Sequence, residues 1–329
     1  MLQNNFDNEN VLLNVQNLKT YFYTKLGILK AVDDISFKLH SGQIMGLVGE
    51  SGSGKSVTGF SILGLIDSPG KIVGGDIFFK KKNLLKYSTK NIKSLRGNKI
   101  SMIFQDPLMT LNPVLRIDTQ MLEAIYAHNP KISKKDATKI CIENLEKVGI
   151  PSAEQRMRSY PHEFSGGMRQ RVCIAIALLN KPELIIADEP TTALDVTIQS
   201  QILYQMQELI KITNTAMIWI THDLAVVSGL ADFISVMYAG KIVEQGKLND
   251  VLETPSHPYT KGLISSIPGE NKRGMKIPQI PGVTPSLINL QDGCSYYERC
   301  EKKIDICNKK EPKFKEVKFG HNTKCYNHY

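Results

Sequence analysis

Apolar positions along this chain form short runs and helically spaced sets that predict strands and helices in alternation. Largely apolar runs of strand length occupy residues 43–48 and 184–188. Apolar residues recur at helical spacing over residues 55–66, 117–129, 134–148 and 172–179. Strands that follow one another through helices are typical of α/β proteins with a parallel sheet. The pattern therefore predicts a large α/β domain.

A glycine-rich segment separates the first strand from the first helix. Residues 49–56 read GESGSGKS and fit the phosphate-loop pattern G-x-x-x-x-G-K-[ST]. Glycine allows backbone N–H groups to turn toward phosphate oxygens that a Cβ would keep away. Lys55 brings a positive charge to the β- and γ-phosphates, and Ser56 offers a hydroxyl to Mg²⁺. Strand, loop and helix follow in the expected order, so we predict a site for a nucleoside triphosphate.

Two carboxylates follow the second strand. Asp188 and Glu189 come directly after an apolar run, which places Asp188 at the carboxyl end of a strand, where open parallel sheets bind ligands. Asp188 suits coordination of Mg²⁺, and Glu189 is placed to polarise a water molecule for attack on the γ-phosphate. A polar strand end before Pro190 is the simpler interpretation. Together with the phosphate loop, however, the pair predicts ATP hydrolysis.

Residues 164–168 read FSGGM and resemble the signature sequence of the ABC ATPases, written LSGGQ. Phe164 and Met168 depart from that pattern, whereas Ser165, Gly166 and Gly167 keep it. The segment opens an apolar helix, whose free N–H groups form an anion site. The resemblance implies an α/β phosphate-loop NTPase core with an antiparallel β-subdomain and a helical subdomain.

Further motifs of the same family occur in the expected order. Gln105 resembles the Q-loop glutamine, residues 193–195 resemble the D-loop, and His222 resembles the switch histidine at the γ-phosphate. Phe22, with Tyr21 as the alternative, is placed to stack on adenine. The resemblance implies catalytic roles for Glu189, His222 and Gln105, and Mg²⁺ ligation by Ser56, Gln105 and Asp188. It implies nucleotide contacts from Phe22, Gly49, Ser51, Gly52, Ser53, Gly54, Lys55, Ser56, Val57, Ser165, Gly166, Gly167 and Asp195.

In this family the phosphate loop and the signature of one chain face different nucleotides. The resemblance therefore implies a head-to-tail dimer in which Lys55 of one subunit and Ser165 of the other enclose ATP. The second subunit is either another copy of this chain or a sister ABC ATPase, and the sister ATPase is the expected partner. We predict an ATPase domain over residues 1–253, with the helical subdomain at about residues 106–182, and a small C-terminal extension over residues 254–329.

Composition and charge bear on the partners and the cellular location of such an ATPase. The 329 residues are 42% hydrophobic and 22% charged, as in globular proteins, and the net charge of +9 comes without an aromatic-interleaved basic stripe. This charge alone does not decide between nucleic acid, the anionic inner leaflet and an ordinary solvated surface. With the family resemblance we predict no nucleic-acid partner. Residues 1–10 are polar, unlike a signal peptide, and no apolar run approaches the roughly 20 residues of a membrane helix. These features predict a cytosolic protein, and the family resemblance implies that it is a peripheral subunit at the cytoplasmic face of the cell membrane.

Two functional classes compete, membrane transport and a soluble ABC ATPase. Soluble members usually carry two ATPase halves or a long coiled-coil insertion. This sequence has one phosphate loop and no sustained heptad between residues 56 and 165. Transport is therefore favoured, and among transporters an importer. The resemblance then implies two integral-membrane permease subunits as partners and, indirectly, an extracytoplasmic substrate-binding protein.

The segment after residue 256 limits the range of solutes that the transporter is expected to carry. Residues 257–260 read HPYT and, with Ser-Ile-Pro at residues 266–268, resemble the C-terminal region of oligopeptide and dipeptide permease ATPases. Residues 102–113 resemble the same subfamily. We therefore predict that the chain powers import of di- or oligopeptides, with nickel or another small solute as the alternative cargo. The Pro- and Gly-rich stretch to Pro285 predicts a loop-like extension.

Four of the six cysteines lie near the C-terminus, at Cys294, Cys300, Cys307 and Cys325. A cytosolic location disfavours disulfides, and four thiolates suit zinc or an iron–sulfur cluster. Their spacing is wider than the one usual for structural zinc. The set also resembles that of peptide-permease ATPases for which a 4Fe–4S cluster is implied. We therefore predict a metal-binding extension, with an iron–sulfur cluster first, zinc second and uncoordinated thiols third.

Overall fold

The computed structural model describes residues 10–192, 194–267, 278–288, 290 and 292–329. By compactness the chain divides into two units, one formed by Met1–Lys86 with Trp219–Tyr329 and the other by Tyr87–Ile218. Ala193 of the predicted D-loop, Pro268 of the predicted permease-type tail and the N-terminal segment 1–9 lie outside the described residues. The predicted domain boundary at residue 253 stays a prediction.

Strands and helices alternate through the middle of the chain, as the apolar pattern predicts. The strands are β1 (Val11–Thr24), β2 (Gly27–His40), β3 (Ile44–Val48), β4 (Gly70–Phe79), β5 (Lys82–Asn83), β6 (Ile100–Ile103), β7 (Leu184–Asp188), β8 (Ala216–Thr221), β9 (Phe233–Tyr238), β10 (Lys241–Lys247), β11 (Lys315–Lys318) and β12 (His321–Thr323). The helices are α1 (Lys55–Leu63), α2 (Thr89–Leu95), α3 (Pro107–Thr110), α4 (Ile117–Tyr126), α5 (Lys134–Lys147), α6 (Ala153–Arg156), α7 (Gly166–Leu178), α8 (Val196–Thr213), α9 (Leu224–Ser228), α10 (Leu248–Glu253), α11 (Pro258–Ser265) and α12 (Asp305–Lys309). Within the described residues, no helix combines the length and apolar composition needed to cross a bilayer.

The first unit contains a four-stranded antiparallel sheet with the strand order β2-β1-β4-β5. Side chains on one face of β1 and β2 form its core, and Leu13, Leu18, Ile35 and Leu39 are fully buried. Register shifts interrupt the pairing of β1 with both of its neighbours. Such bulges bend a strand and increase its twist. This sheet confirms the antiparallel β-subdomain that the family resemblance implies.

A second set of paired strands in the first unit has the order β11-β12-β10-β9-β3. β3 and β9 run parallel, and the other neighbours in this set are antiparallel. All five residues of β3 are buried. Strands that are covered on both faces read as unbroken apolar runs, which explains the sequence pattern before the phosphate loop. The loop begins at the carboxyl end of this buried strand.

The second unit combines two parallel strands, β6 and β7, with packed helices. Helices α4, α5 and α7 contact one another and bury Met121, Leu145 and Val172. Cys141 and Cys173, which the sequence predicts to be core thiols, are also buried, and burial raises the pKa of each to about 12. These helices confirm the helical part of the expected fold.

Several helices differ in extent from the sequence pattern, and one was not predicted. α1 ends at Leu63 rather than at residue 66, because Gly64 takes the left-handed conformation with φ 62° and caps the helix. α7 begins at Gly166, before the apolar run at residues 172–179, and the signature segment opens it as predicted. Residues 258–265, predicted to be loop-like, form α11 with Pro258 in its first turn. Proline favours this position because its missing N–H would have no intrahelical partner there.

Candidate functional site

The phosphate loop connects the end of β3 to the start of α1 in the first unit. Its tip, at Ser51 and Gly52, is exposed. The N–H of Ser53 donates to the carbonyl of Glu50 at 3.2 Å, and the carbonyl of Ser53 accepts from the N–H of Gly240 at 3.0 Å. The loop is thus closed by its own backbone and fixed to the turn between β9 and β10.

Two glycines of the loop leave no room for a side chain. Gly49 has φ 152°, and a Cβ there would lie 2.1 Å from the carbonyl oxygen of Met237. Gly54 has φ 101°, and its Cβ would lie 2.1 Å from the carbonyl oxygen of Ala31. Since both obstructions are backbone atoms, neither can rotate away. The conformation therefore requires glycine at both glycine positions of the sequence pattern.

The ammonium group of Lys55 lies inside the curve of the loop. It donates to the carbonyls of Gly49 and Glu50, each at 2.8 Å, and the residue is only 4% exposed. Ser56 and Val57 follow, half-buried, in the first turn of α1, where N–H groups lack intrahelical partners. A buried cation, a helix N-terminus and a loop that excludes Cβ atoms together fit the phosphates of ATP.

The two candidate adenine residues lie next to each other on β1, where a register shift interrupts the pairing with β2. Phe22 pairs with Gly70 of β4, and its ring occupies the space that a Cβ at Gly70 would need, 2.6 Å from Cε1. The hydroxyl of Tyr21 donates to the Asp33 carboxylate at 2.6 Å, and burial together with this bond raises the Tyr21 pKa. Tyr21 is thus tied to Asp33, and Phe22 stays the predicted adenine residue.

His222, the predicted switch histidine, directly follows β8 and is exposed. The N–H of Asp223 donates to Thr221 Oγ1 at 3.0 Å. The Asp223 carboxylate in turn accepts from the N–H of Ala225 at 2.8 Å and caps α9. The backbone on both sides of His222 is therefore fixed, while its role at the γ-phosphate stays a prediction.

The predicted catalytic carboxylates lie at the end of β7 in the second unit. Asp188 is the last residue of the strand and is 3% exposed. Glu189 leaves the strand with φ 44°, a conformation that residues with side chains seldom adopt outside functional sites and turns. Its Oε2 accepts from Gln105 Nε2 at 3.2 Å and from Thr192 Oγ1 at 3.1 Å. The structure thus brings Gln105 and Glu189 together and adds Thr192, which no sequence motif marked.

Ser165 and Gly166 of the signature are exposed at the start of α7. Ser165 is the N-cap, and its Oγ accepts from the N–H of Met168 at 3.3 Å. Phe164, by contrast, is 3% exposed, and the guanidinium of Arg156 lies 5.6 Å from its ring centroid. The departure from the family pattern at Phe164 is therefore an exchange of one core side chain for another. It leaves the exposed part of the motif unchanged.

The signature helix approaches the described end of the D-loop within the second unit. Asp195 caps α8 by accepting from the N–H of Ile198 at 3.0 Å. A Cβ at Gly167 would lie 2.9 Å from Ile198 Cγ2. Glycine at this position therefore permits the start of α7 to contact the first turn of α8.

The four C-terminal cysteines do not form the predicted metal site. Among the described residues, no group of three or more His, Cys, Asp or Glu side chains is arranged to hold a metal ion. The cysteines are free thiols, and burial raises the pKa of Cys294 to about 12 and that of Cys325 to about 11. The prediction of an iron–sulfur cluster, with zinc as its alternative, at Cys294, Cys300, Cys307 and Cys325 is therefore wrong.

The extension folds around other groups. The ring of Tyr296 lies 5.1 Å from that of Tyr238 and 5.4 Å from that of Tyr259. β12 pairs with β10, and the buried His321 Nε2 lies 2.7 Å from the Glu244 carboxylate. The prediction of a metal site rested on the four cysteines and on the family resemblance. Buried tyrosines and a buried carboxylate–histidine pair supply the core instead.

Known protein families match both the region of the phosphate loop and the C-terminal region of this chain. The sequence profile described as ABC transporter matches residues 32–192, and the one described as oligopeptide/dipeptide transporter, C-terminal region, matches residues 243–307. The oligopeptide transport ATP-binding protein OppD of Salmonella typhimurium is 47% identical over 303 residues, which are 92% of this chain and 90% of OppD. The dipeptide transport ATP-binding protein DppD of Lactococcus lactis is 46% identical over 318 residues, 97% of this chain and 91% of DppD.

Solved structures show the same likeness. One is a dimeric ATP-binding cassette in a post-hydrolysis state with ADP and Pi, which has a TM-score of 0.65 and 25% sequence identity. The match covers 72% of this chain and 98% of the cassette chain. The CbiO1 subunit of an ABC transporter complex from Clostridium perfringens has a TM-score of 0.63 at 27% identity, covering 74% of this chain and 92% of its own.

Proposed function

Because the chain belongs to the ABC transporter family, we propose that it is the ATP-hydrolysing subunit that powers import of dipeptides or oligopeptides. One observation carries this proposal: the likeness to OppD and DppD extends over 92% and 97% of the chain, through the C-terminal region that distinguishes peptide transporters. Membership in the family implies that the substrate is ATP and that Mg²⁺ is the metal cofactor bound with it. The chain is an ATPase coupled to transport.

The phosphate loop binds ATP in this proposal. Its buried ammonium and its inward-facing N–H groups neutralise the phosphates, and Phe22 stacks on adenine. The phosphate-binding residues are Gly49, Ser51, Gly52, Ser53, Gly54, Lys55, Ser56 and Val57. Ser56, Gln105 and Asp188 would hold Mg²⁺, which when bound offsets the charge on the β- and γ-phosphate oxygens.

Glu189 is the proposed general base. A carboxylate oxygen that accepts from Gln105 and Thr192 is fixed in direction, so it can orient and deprotonate a water molecule. In this proposal His222 contacts the γ-phosphate, and the conformation of the chain therefore depends on whether that phosphate is bound. Loss of the γ-phosphate then releases contacts that hold a closed state, which is how such switches convert hydrolysis into motion.

A second ATPase completes each site. Ser165 and Gly166 are exposed and Gly167 is half-buried at the N-terminus of α7, where N–H groups favour an anion. We assign these residues, with Asp195, to the nucleotide held by the phosphate loop of a sister ATPase in a head-to-tail dimer. Closure of the dimer by ATP and its reopening after hydrolysis would drive the transport cycle.

The remaining partners follow from the family. Membrane permease subunits are implied by membership in an ABC peptide importer, and we propose two of them, served by an extracytoplasmic substrate-binding protein. The chain would then act at the cytoplasmic face of the membrane as a peripheral subunit. We also propose that residues 1–253 form the ATPase domain, with its helical part at about residues 106–182, and that residues 254–329 form a distinct extension.

Replacement of Gly166 by alanine tests the signature assignment. Among the described residues, and apart from its chain neighbours and the backbone of α7, no atom lies within 4 Å of a Cβ at Gly166, so we expect an unchanged melting temperature. In the assembled transporter the methyl group would occupy space meant for the partner's nucleotide, and we expect hydrolysis to fall about tenfold, equivalent to about 1.4 kcal/mol of transition-state stabilisation. Gly74→Ala is the matched control, since its Cβ would meet only Lys19 at 3.7 Å. An unchanged ATPase rate for Gly166→Ala would argue against the assignment.

Uptake by a deletion strain tests the cargo. We expect loss of labelled dipeptide or oligopeptide uptake when the gene is removed, and rescue by the intact gene but not by a Glu189→Gln allele. Chain-length preference among the peptides would separate the two cargo classes. If nickel uptake failed while peptide uptake continued, the peptide assignment would be refuted and the ATPase assignment would stand.

A further inference from the structure

The second residue of the phosphate loop, Glu50, carries a negative charge where phosphates are to bind. It lies between Gly49, which the loop geometry fixes, and the exposed tip at Ser51. Two like charges close together repel each other and weaken binding of an anion. An acidic side chain at this position therefore needs a compensating cation.

Arg299 of the C-terminal extension supplies that cation. Its Nη1 donates to Glu50 Oε2 at 2.7 Å, and its Nη2 donates to Glu50 Oε1 at 2.9 Å. This two-pronged contact is the strongest form of an arginine–carboxylate pair. The hydrogen bonds from Arg299 are the largest cause of a Glu50 pKa below its usual value, which keeps the carboxylate ionised.

The guanidinium of Arg299 is itself held in place. Its side chain is 6% exposed. Its Nε donates to the carbonyl of Pro281 at 2.8 Å, and Nη1 also lies 3.3 Å from the Tyr238 hydroxyl. The rings of Tyr238 and Tyr296 lie 5.7 and 5.9 Å from the guanidinium carbon. A buried and oriented arginine loses little entropy when it pairs, so the contact is set before ATP arrives.

Two more residues of the extension reach Glu50. The Thr284 hydroxyl donates to Glu50 Oε2 at 2.7 Å. The Tyr259 hydroxyl oxygen accepts from the backbone N–H of Glu50 at 2.9 Å. Tyr259 is fully buried and belongs to the HPYT segment. Side chain and backbone of one phosphate-loop residue are thus held by three residues that lie after position 253.

We propose that Arg299 is a positioning residue for ATP: it neutralises the phosphate loop's own carboxylate and thereby makes ATP affinity depend on the C-terminal extension. The proposal rests on the proposed function of the loop as an ATP site. It assigns to the extension a direct effect on nucleotide binding, exerted through Glu50 and not through any contact between the extension and ATP.

Four forms of the full chain test the proposal: the unaltered protein, Arg299→Gln, Glu50→Gln and the double variant. We measure the affinity for ATP with Mg²⁺ by calorimetry, and the unfolding temperature of each form without nucleotide. Arg299→Gln should weaken ATP binding about tenfold, because it leaves the Glu50 carboxylate uncompensated beside the phosphates. The double variant, which lacks that carboxylate, should bind ATP more tightly than Arg299→Gln. Lys313→Gln, which removes one positive charge from an exposed site in the extension, is the control and should bind like the unaltered protein.

A double variant that binds ATP more tightly than Arg299→Gln shows that the loss of affinity comes from the Glu50 charge. Simple damage to the fold would not be reversed by a second substitution. A double variant that binds ATP no better than Arg299→Gln would overturn the proposal, and so would an Arg299→Gln protein with unchanged affinity. If Arg299→Gln fails to fold, Arg299→Lys replaces it, and Glu50→Gln in that background should again strengthen ATP binding; no gain would refute the proposal. Failure of the unaltered chain to bind ATP would instead refute the proposed function itself.

Discussion

Glu189→Gln is expected to stop ATP hydrolysis while ATP still binds. Glutamine has nearly the same shape and keeps an oxygen for the hydrogen bonds from Gln105 and Thr192. It cannot accept a proton from water. A positioned general base typically contributes about 10²- to 10⁴-fold to a rate, so we expect a loss of that size in kcat. Because hydrolysis reopens the proposed dimer, the variant should also accumulate in a closed, ATP-bound state.

The measurement is phosphate release by the assembled transporter, together with ATP affinity and the fraction of closed dimer. Glu208→Gln on α8 is the matched control, since its side chain is 45% exposed and pairs with Lys211 on the helix surface. We expect normal turnover from that control. Normal turnover from Glu189→Gln would show that another group activates the water.

Lys55→Ala should abolish tight ATP binding, and hydrolysis with it. The ammonium group is buried inside the loop, where it meets the carbonyls of Gly49 and Glu50. Alanine removes the charge that faces the phosphates. A hydrogen bond to a charged group contributes about 1.5–3 kcal/mol, which corresponds to about 10- to 100-fold weaker binding.

Calorimetric titration with ATP measures this loss, and the unfolding temperature without nucleotide shows that the variant is folded. Lys71→Ala removes an exposed lysine from β4 and serves as the control. The two variants should differ in kind, because Glu189→Gln spares binding and Lys55→Ala does not. Unaltered ATP affinity in Lys55→Ala would place the phosphates outside this loop.

The sequence predicted the local elements of the site well because their chemistry is local. The loop at residues 49–56 needs glycine at fixed positions, and the clashes at Gly49 and Gly54 show why. The apolar run before Asp188 became β7, with that carboxylate as its last residue. The assignments of nucleotide contacts to individual residues stay predictions, since they concern groups outside the chain.

The pattern of residues alone did not predict features that depend on distant residues. The antiparallel sheet followed from family resemblance alone, because bulges in β1 break the regular alternation that would mark a strand. The pairing of Glu50 with Arg299 joins residues that no local pattern connects. The prediction of a metal site was wrong: it rested on the four cysteines and the family resemblance, whereas the extension packs Tyr296 against Tyr238 of β9.

The Glu50–Arg299 contact also has a consequence for biosynthesis. The two residues are separated by 249 positions. At roughly 5–20 residues per second, a ribosome needs roughly 12–50 s to reach the arginine after the glutamate. During that interval the nascent phosphate loop has its carboxylate uncompensated and is poorly suited to nucleotide. Prematurely terminated chains would share this defect, so they would compete weakly with finished chains for ATP and for places in the transporter.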